Sequence, residues 1–292
     1  MILFRDRAAT VLFEVLATLE KNTTFLLPLN ICPVVPDTFL KANLKFKFID
    51  IDPNTLCMDQ ALALNAIKND RSISGVLFVN TFGIEIDSEV FYRKIKSVNS
   101  AITIIDDQCL SVQNFDINIE KSSASLSLFS SGYSKYVDLG YGGFGFLKDK
   151  EFIKIFKDNS RDKDFLAYQI AVNAKIPLMK KHKARLNGIY KKGIPSYLHL
   201  GEAFESWRFS ILIDNKEQLL EEILQEDELF ASSHYAAIDY KYVDNPIQNS
   251  NAQIVGSRIL NLFNDFRFTD EKAERVVKII NNFIKGQVKP DP

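Results

Sequence analysis

The stretch Ile102-Thr103-Ile104-Ile105-Asp106-Asp107 joins a short apolar run to two adjacent carboxylates. A run of this length that is rich in isoleucine is typical of a strand buried on both faces of a sheet. The aspartates then come at the end of a strand, which is where open α/β sheets bind ligands. Such a pair also serves as a turn or a helix cap, so its chemistry depends on its neighbours.

Similar apolar runs lie on both sides of this stretch, with amphipathic segments between them. We expect strands at 24–27, 46–51, 75–80, 102–106, 124–130 and 143–147. We expect crossover helices at 35–41, 59–68 and 88–97. This alternation predicts a doubly wound α/β fold with a mainly parallel central sheet.

Residues 7–19 carry apolar side chains at the spacing of an amphipathic helix. The apolar positions are Val11, Leu12, Val15, Leu16 and Leu19. We therefore expect a helix at the start of the chain.

From residue 150 onward the sequence becomes charged and helix-prone, with basic runs at 180–183 and 191–192. A solvated helix face explains these runs more simply than an anion-binding patch, because acidic residues balance them elsewhere. Further elements are expected as strands at 207–213, 232–238 and 258–262 and as helices at 216–224 and 271–284. The sequence thus predicts a large α/β domain at 1–175 and a smaller C-terminal α+β domain at 176–292.

The composition excludes several classes of protein. The 292 residues are 46% hydrophobic, which suffices for a sizeable core, and 36 basic against 37 acidic side chains give a net charge of −1. This balance favours neither nucleic acid nor an anionic membrane surface as a partner. No apolar run approaches the roughly 18 residues that span a bilayer, and the first residues lack a secretory signal, so we expect a cytoplasmic protein.

The three cysteines, Cys32, Cys57 and Cys109, do not have metal-ligand spacing. Their odd number leaves one thiol unpaired in any disulfide scheme. We expect reduced thiols and no bound metal.

The stretch Gly140-Tyr141-Gly142-Gly143-Phe144-Gly145 satisfies the G-x-G-x-x-G spacing of a dinucleotide-binding loop. That fingerprint needs a strand before it, a helix after it, and an acidic residue about 20 positions further on. Here residues 144–147 continue as a strand, which argues against a nicotinamide or flavin cofactor.

Ser130 and Lys135 follow the predicted strand at 124–130, in a loop of small residues. A lysine in such a loop can approach a cofactor closely and act as an amine nucleophile. A buried aspartate can hold a proton on a ring nitrogen. Lysine and aspartate together are the pair that pyridoxal 5′-phosphate (PLP) needs. Taken alone, however, a lysine in a serine-rich loop is usually solvated.

Six motifs occur in the order found in DegT/StrS-type aminotransferases, and over most of its length the chain resembles this family. Ile105-Asp106-Asp107 resembles its "v-E-D" motif. Phe129-Ser130 to Lys135, then Gly140-Tyr141-Gly142-Gly143, resembles "F-S-x-x-x-x-K … G-E-G-G". The other matching segments are 25–56, 79–83, 234–235 and 258–271. The family consists of PLP-dependent enzymes of fold type I that aminate keto-sugars attached to nucleotides.

The resemblance implies a role for each matching residue. Lys135 would form the imine with PLP and shuttle the proton of the 1,3-transfer. Asp107 would pair with the pyridinium nitrogen, and Ser130 would bind the phosphate. Arg7 and Ala8 fall where the family's phosphate-binding turn presents backbone N–H groups at a helix N-terminus, a sound site for a dianion.

Four further residues are candidates for contacts with the cofactor or substrate. The resemblance places Asn80 beneath the ring, and Cys32 stands where many family members stack an aromatic side chain on it. Arg208 is a candidate for binding the donor carboxylate through its guanidinium fork, although a surface arginine is the simpler interpretation. His234 is a candidate at the mouth of the site, although a packed histidine is an equal alternative.

The departures from the family pattern keep other functions open. Asp6 and Arg7 replace the glycine and threonine that open the phosphate-binding turn, and Leu110 replaces a polar residue. The segment through which a second subunit reaches the phosphate is not recognisable between residues 148 and 169. An aminotransferase with a donor such as glutamate and a keto-sugar acceptor is the leading hypothesis. A PLP-dependent lyase and an inert binding or regulatory protein are the alternatives.

Fold type I active sites lie at a subunit boundary. Tyr133, Tyr141 and Phe144 flank the proposed cofactor loop, and we expect them to be exposed and in need of cover. The sequence therefore predicts a two-fold homodimer with small-molecule substrates.

Overall fold

The computed structural model describes residues 1–117, 119–157 and 162–287. The first half of the chain forms a large sheet and the helices that cover it. Its strands are β1 (Ile2–Arg5), β2 (Thr24–Pro28), β3 (Lys45–Ile49), β4 (Ile73–Val79), β5 (Thr103–Asp107), β6 (Leu126–Ser130) and β7 (Gly143–Leu147). Its helices are α1 (Ala8–Leu16), α2 (Val34–Lys41), α3 (Gln60–Asn69), α4 (Glu89–Val98) and α5 (Lys150–Phe156).

The large sheet has seven strands in the order β1-β7-β6-β5-β4-β2-β3. All neighbours from β3 to β6 are parallel, whereas β7 runs antiparallel to both β6 and β1. The predicted mainly parallel α/β sheet is confirmed. The strand at Gly143–Leu147 is confirmed too, so no helix follows the glycine-rich stretch.

The start of the chain differs from the prediction of a helix over 7–19. A strand, β1, precedes the helix and pairs with the edge strand β7, and α1 ends at Leu16. The four residues Ile2–Arg5 are too short to show the alternation by which a strand is recognised in sequence.

Successive residues of β5 contribute to opposite faces of the sheet, as the strand period of two requires. Ile105 packs with Val11 and Leu27 in the core beneath α1 and α2. Ile104 packs on the other face, with residues of α3 and α4 such as Ile67. The side chains of the next two residues, Asp106 and Asp107, therefore also lie on opposite faces of the sheet.

The second half of the chain begins with a long helix, α6 (Asp162–Gly193), which contacts both halves of the molecule. Phe165 and Tyr168 pack with Phe144 on the large sheet, while Leu186 and Tyr190 pack in the core of a smaller sheet. The boundary expected between residues 175 and 176 lies inside this helix, and the division of the chain at that point stays a prediction.

The smaller sheet has three antiparallel strands, and three helices follow α6 in this half of the chain. The strands are β8 (Phe209–Leu212), β9 (Ala231–Ser232) and β10 (Ile259–Leu262), in the order β8-β10-β9, and the helices are α7 (Lys216–Leu224), α8 (Asn251–Gly256) and α9 (Asp270–Gln287). The strand predicted at 232–238 is wrong, because β9 ends at Ser232. The chain then leaves the sheet, and Ala236 packs against Gly256, where a Cβ would lie 2.9 Å from the Ala236 Cα. Among the described helices, none is long and apolar enough to cross a membrane.

Candidate active site

A cavity of 330 Å³ lies where β5 and β6 end and α1 begins. It is lined by Arg7, Ala8, Ala9, Leu12, Cys32, Val34, Val35, Thr38, Asp107, Cys109, Leu128, Ser130, Gly132, Tyr133 and Lys135. The cavity thus brings together six residues that the sequence singles out: Arg7, Ala8, Cys32, Asp107, Ser130 and Lys135. Their positions at the carboxyl ends of parallel strands and at a helix N-terminus follow from the fold.

Lys135 lies on the lysine loop, which we define as residues 131–142 between β6 and β7. Its side chain is half-buried and lines the cavity. Within the described residues, the Lys135 amine makes neither a hydrogen bond nor an ion pair. An amine without a protein partner is available to a ligand.

Asp107 ends β5 and is only 6% exposed. One carboxylate oxygen accepts a hydrogen bond of 2.9 Å from the Cys109 N–H. No lysine or arginine in the described part of the chain forms an ion pair with it. The Cys109 thiol interacts electrostatically with both Asp107 and Lys135. Burial and then Asp107 raise the pKa of Cys109, whereas the positive charge of Lys135 lowers it. A buried carboxylate without a cation is a group for which a positively charged ligand atom would compensate.

The anion-binding side of the cavity is formed by the start of α1. Arg7 is the extended residue before the helix, and the described residues offer no acceptor to the N–H groups of Ala8 and Ala9. The helix dipole adds positive potential at this end. Gly143 permits the approach of α1 to β7, because a Cβ there would lie 2.0 Å from the Ala8 nitrogen.

Arg7 and Ser130 flank this helix start. The Arg7 guanidinium lies 5.0 Å from the centre of the Tyr133 ring, and its Nη1 is 3.2 Å from where a Cβ of Gly132 would stand. The Ser130 hydroxyl accepts a hydrogen bond of 3.3 Å from the Gly132 N–H. A guanidinium, a hydroxyl and free backbone N–H groups are the donors that bind a phosphate.

Asn80 is not among the residues that line this cavity. Its side chain donates to Asp106 at 3.0 Å and lines a second cavity of 690 Å³. Gln108 donates to the same carboxylate at 2.6 Å and lines the same second cavity. The role of Asn80 beneath a ring stays a prediction.

Arg208 precedes β8 and is 5% exposed, which contradicts the interpretation as a surface arginine. Its guanidinium lies 4.3 Å from the Trp207 ring and 3.7 Å from the Phe263 ring, and it donates to the Ser232 hydroxyl. Burial lowers the pKa of Arg208 to about 10. In the described residues it has no carboxylate within 4.0 Å, and it is not among the residues that line the 330 Å³ cavity, so its binding of a donor carboxylate stays a prediction.

His234 interacts electrostatically with both candidate cationic groups, Arg208 and Lys135. Partial desolvation and then the positive charges of Arg208 and Lys135 lower its pKa. The centre of its imidazole ring is 6.1 Å from that of Trp207, and its backbone N–H donates to the Asn261 side-chain oxygen at 2.8 Å. His234 is therefore within electrostatic range of Lys135, on the side of the smaller sheet.

Three residues near Lys135 escaped the sequence analysis. Gln113 donates to the Ser130 carbonyl, Asp138 accepts from the Ser134 N–H, and the Trp207 indole donates to the Ser134 carbonyl. Each binds backbone atoms from a distant or irregular segment, so no side-chain motif records the contact. The single tryptophan of the chain was the one available signal.

Comparison with known proteins identifies the fold. No protein-family model matches the sequence, and no curated protein matches it. The structure is similar to PseC of Helicobacter pylori, an aminotransferase involved in the biosynthesis of pseudoaminic acid, with a TM-score of 0.79 and 14% identity over 98% of this chain and 87% of that one.

Two further solved structures are similar to this chain. The putative sugar aminotransferase Spr1654 of Streptococcus pneumoniae in its PMP form has a TM-score of 0.78 and 14% identity, over 99% of this chain and 88% of that one. The GDP-4-keto-6-deoxy-D-mannose-3-dehydratase of E. coli has a TM-score of 0.68 and 18% identity, over 96% and 87%. The predicted fold, that of the fold type I PLP-dependent transferases, is confirmed.

Proposed function

We propose that this chain is a PLP-dependent aminotransferase of the DegT/StrS type, which transfers an amino group from an amino acid such as glutamate to the keto group of a nucleotide-linked sugar. The observation that carries the proposal is the cavity in which Lys135, Asp107 and the N-terminus of α1 meet. The fold shared with sugar aminotransferases supports it.

The donor set of this cavity fits PLP. A lysine without a protein partner suits the aldehyde, a buried carboxylate without a cation in the described residues suits the ring nitrogen, and the start of α1 suits the phosphate. When bound, PLP supplies a ring that accepts an electron pair from the carbon next to the transferred nitrogen.

Lys135 would hold the cofactor through its Nζ and would move the proton of the transfer with the same amine. The half-buried position of its side chain suits both tasks, because the amine lines the cavity and has no hydrogen-bond or ion-pair partner among the described residues. Asp107 holds a proton at the ring nitrogen, and its burial at 6% exposure strengthens this charge interaction.

Arg208 binds the donor's carboxylate in this proposal. A buried guanidinium that lacks a carboxylate partner in the described residues carries a desolvation cost, which a substrate carboxylate would offset. Replacing Arg208 with glutamine should raise the KM for glutamate about thirtyfold, since a hydrogen bond to a charged group contributes roughly 2 kcal/mol. The KM for the keto-sugar should change far less. Equal changes in both values would contradict the assignment.

The fold alone does not select the reaction, because a sugar dehydratase has it as well. In the family's dehydratase branch the lysine is replaced by histidine, and Lys135 therefore favours amino transfer. An inert binding protein is the remaining alternative, and it predicts no covalent capture of PLP.

We further propose a homodimer in the cytoplasm. Tyr133 and Tyr141 are 66% and 46% exposed, whereas Phe144, also expected at the surface, is fully buried and packs against Phe129. Leu166, Ile170 and Leu178 add an exposed apolar stripe along α6. A surface of this kind needs cover. Free thiols at all three cysteines agree with a reducing compartment, and a monomer in sedimentation at micromolar concentration would contradict the dimer.

The test is covalent capture of PLP. The purified chain is incubated with PLP, reduced with borohydride, and digested for mass spectrometry. We expect a visible absorbance band that borohydride removes and a pyridoxyl group on Lys135.

Lys183 is the matched control for this experiment. It is 4% exposed, and burial lowers its pKa to about 7, which favours an uncharged amine at neutral pH. Its Nζ is already bonded to the Trp207 carbonyl at 2.6 Å and to Asn264 at 2.7 Å. Capture should therefore persist in Lys183→Met and disappear in Lys135→Ala. A label on Lys183, or no uptake of PLP, would overturn the proposal.

A further inference from the structure

The lysine loop holds a strained residue directly before Lys135. Ser134 has a φ of 59°, in the left-handed region that side chains other than glycine rarely adopt. Such a conformation costs roughly 1 kcal/mol and persists only where surrounding contacts hold it. Because Ser134 sets the direction in which the next residue leaves the backbone, those contacts also aim Lys135.

The Ser134 N–H is held by Asp138. One oxygen of this carboxylate accepts from Ser134 at 3.0 Å, and the other accepts from the Gly140 N–H at 2.8 Å. Asp138 is 8% exposed and is anchored by an ion pair of 2.7 Å with Arg267. Arg267 follows β10, so this anchor comes from the C-terminal half of the chain.

The Ser134 carbonyl is held by Trp207, also from the C-terminal half. The indole Nε1 donates to it at 2.7 Å. The indole is 3% exposed and packs against Phe82 and Tyr235, whose ring centres are 6.0 Å and 5.9 Å from its own. Both polar groups of one peptide residue are thus fixed by buried partners.

Gln113 fixes the backbone on both sides of Ser134 as well. The Gln113 amide nitrogen donates to the Ser130 carbonyl at 2.5 Å and to the Val137 carbonyl at 3.4 Å. With the backbone held at Ser130, Ser134 and Val137, the remaining freedom of Lys135 lies mainly in its own side chain.

We propose that Trp207 and Asp138 are positioning residues that hold Ser134 in the left-handed conformation and thereby direct the Lys135 amine into the cavity. The inference rests on the proposed function for its chemical meaning, but the contacts themselves do not require a cofactor. Because Trp207 adjoins Arg208 and stacks on it, the same element supports the donor-carboxylate site and the lysine loop.

The test compares Trp207→Phe with Tyr190→Phe in the full chain. Trp207→Phe keeps an aromatic ring against Phe82 and Tyr235 but loses the donor to Ser134. Tyr190→Phe is the matched control, since it removes another buried donor, the Tyr190 hydroxyl that bonds the Phe263 carbonyl at 2.7 Å, in the core of the smaller sheet.

The first measurement is hydrogen exchange without added cofactor. Loss of one hydrogen bond should speed amide exchange at Ser134, Leu139 and Gly140 about five- to tenfold in Trp207→Phe. Tyr190→Phe should leave these amides within about twofold of wild type. Asp138→Asn should speed them at least as much, because the NH2 group that replaces one carboxylate oxygen cannot accept the N–H bonded there, and the ion pair with Arg267 is lost. Unchanged loop exchange in Trp207→Phe would overturn the proposal.

The second measurement is the rate at which PLP with borohydride labels Lys135. Trp207→Phe should lower this rate about tenfold, the free energy of one lost hydrogen bond, while Tyr190→Phe retains it. Equal rates in the two variants would show that the indole contact does not aim the lysine. If the wild type takes up no PLP, the proposed function fails, and the exchange experiment still decides whether Trp207 holds the loop.

Discussion

Asp106 and Asp107 are neighbours in the chain, yet they occupy different environments. Asp106 accepts hydrogen bonds from the Tyr92 hydroxyl at 2.8 Å, from Asn80 at 3.0 Å and from Gln108 at 2.6 Å. Asp107 accepts one from a backbone N–H and lines the cavity with Lys135. Both side chains are buried, at 5% and 6% exposure.

The difference shows how a buried carboxylate is assigned to structure or to a ligand. Three side-chain donors from the α4 face and its adjoining loops saturate Asp106, so it binds its own neighbours. Asp107 has acceptor capacity left over and faces a space of ligand size. Burial is the same for both carboxylates, so it does not distinguish them. What distinguishes the candidate ligand-binding carboxylate is its unused hydrogen-bonding capacity.

The largest effect is expected at Lys135, which lines the cavity of Asp107. Lys135→Ala should abolish PLP retention and transamination, because no other amine of the cavity lining replaces it. The free energy of unfolding should change by less than about 0.5 kcal/mol, since the side chain makes no described bond. Urea unfolding measures the stability, and an amino-transfer assay measures the activity. Wild-type activity in Lys135→Ala would show that the cavity lined by Asp107 and Lys135 is not the active site.

The two aspartates form a matched pair for the second prediction. Asp107→Asn should lower kcat about a hundredfold while the protein still captures PLP, because breaking a buried charge pair costs roughly 3 kcal/mol. Asp106→Asn should leave kcat within about threefold, since its carboxylate bonds only the protein. Steady-state kinetics with each variant measures both. A larger loss of kcat in Asp106→Asn than in Asp107→Asn would show that catalysis takes place on the Asp106 face of the sheet.

The pH dependence of stability should separate the same pair. Burial raises the pKa of Asp106 to about 6 from an ordinary 3.8. Between these values the folded state keeps a proton that the unfolded chain releases, so the contribution of Asp106 to stability falls as the pH rises, by roughly 3 kcal/mol in all.

Urea unfolding of wild type and Asp106→Asn between about pH 4 and pH 7 isolates this contribution, because all other titrating groups cancel in the difference. The stability of the wild type relative to the variant should decrease across this window. A difference that stays constant with pH would mean that Asp106 titrates normally.

The smallest effect concerns one donor to Asp106. Tyr92→Phe removes a hydroxyl from a buried carboxylate and should cost about 1–2 kcal/mol of stability at neutral pH. It should also raise the pKa of Asp106 and so shift the pH range in which stability changes to higher pH, because the Tyr92 hydroxyl stabilises the charged carboxylate. PLP capture should remain at the wild-type level, and a loss of capture would show that the two faces are coupled.

The alternation of apolar runs and amphipathic segments was enough to predict the sheet, and five parallel strands and three covering helices lie where it placed them within a few residues. Buried parallel strands and helices have different hydrophobic periods, so local sequence separates them. The same local signal misses β1 and wrongly extends β9, because a four-residue edge strand and a segment leaving a sheet have no period of their own.

The candidate site divides in the same way. Residue order predicted that Lys135, Ser130 and Asp107 follow strands that end at one edge, and the strand period of two implied opposite faces for Asp106 and Asp107. The period cannot say which face holds the cavity, because that depends on which helices cover each side. Tertiary structure decided this, by placing α1 against Gly143 and Tyr92 of α4 against Asp106. It also decided the contacts of Trp207, since a residue 73 positions from Ser134 becomes its neighbour only after the smaller sheet has packed.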